Sequence, residues 1–309
     1  METSKKGGGN EALPHQKGFE GDTIDMKYQK VLDEATRATL PGEFVELTDG
    51  VVHYEISGKE DGPWVVLVHG LITHMFAWEP LSRDLVEAGF RVLRFDLFGR
   101  GFSDRPDVDY TQDLFGRQLR GLLQALDIEG PIRLVGWSMG GLICTDFADS
   151  HPDRVSKMAL IGPAFFLKLH FLRALMLRSP LFPMILKVNG EKFVLKNLRG
   201  HFSRADVCPE YYEGVREQME YPGFFPSLLS TIRHLPFDAG KEFGAVGRHP
   251  RPVLLIWGDK DEVTPYTDST KVRNLFVTSD FFPVKNAGHA PHVEYPDVVN
   301  AKIVSFLAK

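Results

Sequence analysis

Cysteine is nearly absent. Two residues of 309, Cys144 and Cys208, carry a thiol. That excludes a disulfide framework and leaves no ligand spacing for a structural metal. No long basic run occurs and the net charge is −5, so the electrostatic footprint of a nucleic-acid binder is missing. There is no Walker A loop and no H-E-x-x-H. The pair Gly99 and Gly101 lacks the third glycine of a dinucleotide fingerprint and reads as a tight loop at a sheet edge. No cofactor and no metal are expected. Long hydrophobic runs are missing too. The most apolar stretch, Ala164 to Val188, is broken by Lys168, His170, Arg173 and Arg178, which disfavours a membrane span. Met1 to about Gly21 is polar and Gly/Lys-rich, without the apolar centre of a signal peptide, and Glu2 excludes myristoylation. The expectation there is a disordered tail on a cytoplasmic protein, or on one peripheral to a membrane.

What remains is ordinary for a globular chain: 43% hydrophobic and 25% charged residues. Residues 1–43 read as a tail with a short helix between Ile24 and Leu40, stopped by Pro41-Gly42. Phe44–Leu47 and Val51–Ile56, split by Thr48-Asp49-Gly50, carry a hairpin signal. Trp64–Val68, Arg91–Phe95, Ile132–Val135, Val155–Ile161, Val253–Trp257 and Phe281–Val284 read as buried strands. Helical patterns separate most of them: Ala77–Ala88, Tyr110–Leu126, Met139 to about Ser150, Asp268–Leu275 and Asp297–Leu307. Such alternation predicts an α/β fold, a mainly parallel sheet with helices on both faces. It stops between residues 163 and 247, which are rich in helical pattern and proline. The expected organisation is a core in two parts, 44–162 and 248–309, interrupted by a helical cap over the carboxyl edge of the sheet, where ligands of open α/β sheets bind.

The most informative stretch is Gly136-Trp137-Ser138-Met139-Gly140, between a strand and a helix. A serine on so sharp a turn stands clear of both elements, and only small residues fit two places either side of it. The following helix points its free N–H groups at the same spot. A serine hydroxyl is a weak nucleophile and needs a base, usually His, held by a carboxylate. After this strand–turn–helix the acid should come first and the histidine last. Strand Val253–Trp257 ends in Gly258-Asp259-Lys260-Asp261-Glu262; Asp261 is the chosen acid, Asp259 a turn cap and Glu262 solvated. In Asn286-Ala287-Gly288-His289-Ala290-Pro291-His292 the base is His289, with His292 as rival or substrate-pocket residue. The oxyanion donors are expected to be the backbone N–H of Met139 and of Leu71, with Ile72 as alternative. His69 then fixes the loop. Trp137, Phe165 and Phe166 are the expected substrate contacts beside His292, and Cys144 a small buried side chain.

With His69-Gly70, Asp96-x-x-Gly99-x-Gly101-x-Ser103, the serine turn, Gly258-x-x-Asp261 and Gly288-His289 in place, the chain from about Phe44 to Leu307 resembles the α/β-hydrolase superfamily. That resemblance implies Ser138 as nucleophile, Asp261 as orienting acid and His289 as base. The Ser-Met-Gly-Gly form and medium cap look like carboxylesterases and monoacylglycerol lipases. Epoxide hydrolases and haloalkane dehalogenases of the superfamily use an Asp nucleophile, against which Ser138 argues. The function expected is hydrolysis of a small-molecule or lipid ester with an apolar acyl chain through an acyl-enzyme. The same triad acting on a C–C bond, amide or thioester is the runner-up, and a hydrolase-fold ligand receptor is the reading from another class. No nucleic-acid partner is expected. A weak contact of the cap with a membrane surface is left open, as is the oligomeric state.

Overall fold

The computed structural model describes residues 30–166, 179, 181–204, 209–236, 238–240, 244–276 and 278–309, without the Lys187 side chain. The tail to Gly21, the start of the helix expected from Ile24, Cys208, and the cap residues Lys168, Leu169, His170, Phe171, Leu172, Arg173 and Arg178 lie outside the described residues. Within them Glu34–Arg37 (α1) is one turn, with Asp33 Oδ1 capping Thr36 N at 2.8 Å.

Eight strands form one sheet. They are β1 (Glu43–Leu47), β2 (Gly50–Gly58), β3 (Trp64–Val68), β4 (Arg91–Phe95), β5 (Ile132–Trp137), β6 (Val155–Ile161), β7 (Val253–Gly258) and β8 (Ser279–Val284). Their order across the sheet is β1-β2-β4-β3-β5-β6-β7-β8. The β1–β2 hairpin and its junction with β4 are antiparallel, and every other pair is parallel. The parallel strands are the ones read as unbroken apolar runs: every residue of β7 is buried, as are Val65–Val68 in β3. A strand covered on both faces has no polar side to alternate with.

The covering helices are α2 (Glu79–Glu87), α3 (Gln112–Ala125), α4 (Met139–Ser150), α5 (Phe182–Arg199), α6 (Pro209–Gln218), α7 (Phe224–His234), α8 (Gly244–Arg248), α9 (Ser269–Leu275), α10 (Pro291–Glu294) and α11 (Pro296–Ala308). One apolar layer joins α3 and α4 to the sheet through Leu119, Leu122, Leu142 and Phe147. The other face carries α2 and α11, through Leu81, Leu85, Val299 and Ile303. Each such fully buried aliphatic side chain contributes roughly 1.5–3 kcal/mol. Thr111 caps α3 as the sequence pattern requires, accepting from Leu114 N at 3.3 Å.

Between β6 and β7 the described residues contain helices α5 to α8 and no strand, only an isolated bridge between Phe166 and Asp238. We call this insertion the cap. It packs on the core through Tyr211, Val215, Phe224 and Leu228. No helix among the described residues is long and apolar enough to cross a membrane.

Candidate active site

Ser138 sits between β5 and α4 with φ +56° and ψ −118°. For a residue with a Cβ this positive φ is strained, by about 1–3 kcal/mol. The surroundings hold it there. Ser138 N donates to Ile161 O at 2.9 Å, and Ser138 O accepts from Gly141 N at 3.0 Å and Ala164 N at 3.2 Å. The flanking glycines are obligatory for contact reasons. A Cβ on Gly136 would lie 2.5 Å from Gly140 O, and one on Gly140 would strike Val68 O. Cys144 Sγ packs under the same turn, 2.8 Å from where a Gly136 Cβ would be, and burial pushes its thiol pKa up. Cys144 is therefore the inert small side chain expected.

The two partners expected from the later strands meet. His289 Nδ1 is 2.8 Å from Asp261 Oδ2, with both side chains buried. The carboxylate fixes the tautomer: Nδ1 carries the proton and donates, so Nε2 keeps its lone pair. Nε2 is buried and unpartnered among the described residues. Asp261 is itself fully engaged. Its Oδ1 accepts from Val263 N and Thr264 N, both at 2.9 Å, and Oδ2 also accepts from Thr264 Oγ1 at 2.8 Å. The rivals lie elsewhere: Asp259 Oδ1 accepts from Asn286 N at 2.7 Å and so ties the two loops together.

Gly162 connects this pair to the serine. It follows Ile161, the partner of Ser138, and a Cβ on it would lie 3.1 Å from Asp261 Oδ2 and 3.2 Å from His289 Nδ1. A side chain there would crowd both groups, and the φ of +46° favours glycine. The histidine is also tied to the residue before Ser138, since Trp137 Nε1 donates to His289 O at 2.8 Å.

Opposite this pair lies the loop after β3. No described group accepts from the N–H of Leu71, Ile72 or Met139. The peptide planes there are set by side chains. Leu97 N donates to His69 Nε2 at 2.9 Å, so His69 Nδ1 bears the proton and donates to Gly70 O at 2.8 Å. Burial pulls the His69 pKa down to about 4 and keeps it neutral. In a trans peptide C=O and N–H point opposite ways, so fixing Gly70 O aims Leu71 N–H away from the ring. Arg100 Nε donates to Leu71 O at 2.8 Å, and Gln218 Nε2, from the cap, to Ile72 O at 2.9 Å. Arg100 is fully buried, with its other nitrogens on Phe98 O (3.3 Å) and Thr231 Oγ1 (2.9 Å), and burial lowers its pKa to about 10.

Behind the loop, Asp96 accepts from Met75 N at 2.8 Å and Phe102 N at 2.9 Å. His53 lies 2.7 Å from Asp96 Oδ2 through Nδ1 and 2.7 Å from Pro41 O through Nε2. Two acceptors require two donors, so His53 is an imidazolium. Burial pushes the Asp96 carboxyl up, but its interactions with His74 and His53 hold it well below the usual carboxylate range. The Asp96–Gly101 motif is thus a structural knot, and Gly101 is needed because a Cβ there would strike the Asp96 carboxylate.

The expected substrate contacts fare differently. Trp137 and Phe165 are fully buried, and His292 is 2% exposed. Trp137 floors the His289 loop, and His292 is wedged between Trp78 (4.8 Å) and Trp137 (4.7 Å). Burial first, then the neighbouring His289, lowers the His292 pKa to about 3. Phe165 stacks on Phe276 at 6.0 Å. Phe166 is half-buried beside Gly240, with Lys271 Nζ 5.0 Å above its ring. Trp137, Phe165 and His292 are thus packed among core neighbours, while Phe166 keeps part of its ring exposed. Sequence reasoning missed Thr264, Gly162, Arg100, Gln218 and the cap residue His201. His201 O accepts from His289 N at 2.7 Å and Ala290 N at 3.2 Å. Only the spacing of Thr264 from Asp261 carried a readable signal. Among the described residues no cluster of His, Cys, Asp or Glu has the geometry of a metal site.

Comparison with known proteins agrees with this arrangement. The family described as alpha/beta hydrolase fold matches residues 63–296. A 2-hydroxy-6-oxononadienedioate/2-hydroxy-6-oxononatrienedioate hydrolase of Pseudomonas putida is 28% identical over 289 residues, covering 86% of this chain and 96% of its own. A thermophilic esterase from Thermogutta terrifontis superposes with a TM-score of 0.74 at 23% identity, covering 86% of this chain and 98% of the other. The meta-cleavage product hydrolase of Pseudomonas fluorescens gives 0.71 at 24% identity, with 86% and 97% covered. With the serine turn, the sheet order and the family match over most of its length in agreement, the chain belongs to the alpha/beta hydrolase fold family.

Proposed function

We propose that the protein is a serine hydrolase that cleaves carboxylic esters of apolar acids through an acyl-enzyme. Ser138 Oγ attacks the carbonyl carbon while His289 Nε2 takes its proton. The N–H groups of Met139 and Leu71 receive the oxyanion. His289 then returns the proton to the departing alkoxide, and water, deprotonated by the same nitrogen, releases the acid. The observation that carries this reading is the His289 tautomer: Asp261 holds the proton on Nδ1 and leaves a buried, unpartnered Nε2 at the end of the sheet where Ser138 stands.

The relatives named for 2-hydroxy-6-oxo-dienedioate hydrolysis support a second reading, C–C cleavage by the same triad. Their named substrates are dicarboxylates. Arg100, which reaches from the connection after β4 to the loop after β3, is fully buried and has each guanidine nitrogen engaged by a protein acceptor. It is spent on the loop rather than offered to a carboxylate, which favours an uncharged acyl chain. Turnover of p-nitrophenyl esters over a range of acyl lengths, compared with a 2-hydroxy-6-oxo-dienoate, separates the two. Ester turnover that vanishes in Ser138→Ala supports the first. Dienoate cleavage with no ester turnover replaces it with the second. Saturable ligand binding by a folded protein inert on both would make it a receptor.

A further inference from the structure

The outward face of α5 changes character halfway along. The helix packs inward every fourth residue, through Phe182, Leu186, Gly190, Val194 and Leu198. Phe182 and Leu186 join Leu229 of α7, and Gly190 lies under the Phe225 ring. Stepping about 100° per residue, the opposite face reads Leu181, Ile185, Val188, Lys192, Lys196 and Arg199, with Met184 alongside. Leu181, Met184, Ile185 and Val188 are 64%, 65%, 49% and 80% exposed. Among the described residues the other exposed large hydrophobics, Val31, Val108, Val263 and Val298, are scattered singly, which is unremarkable on any surface. Here four share two turns of one helix. The next two turns of that face are cationic: Lys192, Lys196 and Arg199 are exposed. The flanking Glu191 is taken by Arg216 at 3.0 Å, and the three cations form no ion pair among the described residues. Past Arg199 the face opens on a depression of about 740 Å³ that Lys196, Arg199, Arg204 and Lys260 share with Glu262.

We propose that this face of the cap docks on an anionic lipid surface. Leu181, Met184, Ile185 and Val188 enter the boundary between headgroups and acyl chains, and Lys192, Lys196 and Arg199 lie on headgroup phosphates. The division of the helix argues for this occupant. Against a second copy, antiparallel pairing would lay three cations over the partner's apolar half, and parallel pairing would set cation against cation. A bilayer surface offers anions above hydrocarbon, the one layering that satisfies both halves. The concentration of cations on this face stands out against a chain whose net charge is −5.

The test is co-sedimentation of the full chain with vesicles of phosphatidylcholine alone and of phosphatidylcholine mixed with phosphatidylglycerol. It is carried out on Ser138→Ala so that no lipid is turned over. Binding to the mixed vesicles that weakens with salt is expected. Lys192→Glu, Lys196→Glu and Arg199→Glu together should reduce it about 100-fold. Ile185→Glu with Val188→Glu should abolish it, while the thermal melt and, with Ser138 restored, turnover of soluble p-nitrophenyl acetate stay unchanged. No binding to the mixed vesicles overturns the proposal, and so does binding indifferent to Ile185→Glu with Val188→Glu. A concentration-dependent oligomer dispersed by those same two substitutions assigns the face to a second copy and overturns it as well. Because binding is read without turnover, its failure leaves the hydrolase reading intact, and failure of ester turnover leaves the docking result standing.

Discussion

The two sides of the candidate site are built from different materials. On one side the proposed mechanism puts the chemistry on side chains, Asp261 and His289, and the backbone serves them: Val263 N, Thr264 N and His201 O hold the two in place. On the other side the proposed mechanism puts it on backbone N–H groups, and side chains serve them: His69, Arg100 and Gln218 each take one carbonyl of consecutive peptides. The cap reaches both, through His201 on the first side and through Gln218 and Thr231 on the second. A proton carrier needs a tautomer, which one carboxylate sets. An oxyanion hole needs an aim, which takes several locks drawn from far apart in the chain.

The largest effects should come from the side that moves protons and makes bonds. Ser138→Ala should lower kcat by at least about 10⁴-fold with the fold intact, read as ester turnover beside a thermal melt. Asp261→Asn should follow at roughly 10³–10⁴-fold, since an amide in its place leaves His289 in the wrong tautomer. If Asp261→Asn is near wild type, the acid is another carboxylate and the contrast between the two sides fails.

The oxyanion side should respond less, and in a recognisable way. Arg100→Met frees the Leu71 carbonyl, so the Leu71–Ile72 peptide can swing and loosen the loop that carries Leu71 N–H, which should lower kcat by about 10–100-fold with KM nearly constant, because only the transition state uses the aim of that loop. Thr231→Val removes a different Arg100 contact and leaves the Leu71 bond, so it should stay within a few-fold of wild type. Equal losses in the two would show that Arg100 matters for packing alone, and the proposed lock would be abandoned.

Much of the first side was legible in the sequence and little of the second. Strands, helices, the serine turn and the pairing of Asp261 with His289 follow from patterns that are local, or local plus chain order. Gly136, Gly140 and Gly288 announce close backbone contacts. The aim of Leu71 N–H is set by His69 on the Gly70 carbonyl, but the two peptides that follow are held by Arg100 and by Gln218, 118 positions further along, and neither residue type in its local setting points at a carbonyl. Trp137, Phe165 and His292 show the converse: the sequence does not reveal how deeply they are packed. Aromatic residues beside a reactive serine suggest a pocket wall, but their local sequence says nothing about which neighbours will bury them. Trp78 and Phe276 do so here.

Acid should distinguish the sides next. His69 and His292 are both pulled down, to about 4 and about 3, by burial. Between those values and about 6.5 the unfolded chain binds protons that the folded chain refuses. Their contribution to stability is therefore complete above pH 6.5 and lost as pH falls below it, at about 1.4 kcal/mol for each unit and each group. His292→Phe removes one such group without removing a hydrogen bond, and should flatten the decline measured by denaturant melts between pH 6.5 and 4.5. An undiminished slope would mean that His292 protonates in the folded state, and the neutral wedge between two tryptophans would have to be given up.

The smallest effect tests whether the cap serves the acid–base side as it does the oxyanion loop. Glu294 is buried; its Oε2 accepts from Gly288 N at 2.7 Å and its Oε1 from Ser203 N at 2.6 Å. It therefore holds the residue before His289 against the cap segment that follows His201. Glu294→Gln keeps the shape but replaces one acceptor oxygen by a donor, so one of these two bonds must be lost, at about 1–3 kcal/mol. Asp261 still fixes the imidazole, so the loss should reach catalysis only as loop placement. The expectation is a roughly three- to ten-fold fall in kcat, in keeping with the loss of that one bond, with the pH dependence of kcat/KM unmoved. A shifted pH profile would show instead that the Glu294 charge is felt at His289, and the cap's grip would then be electrostatic rather than mechanical.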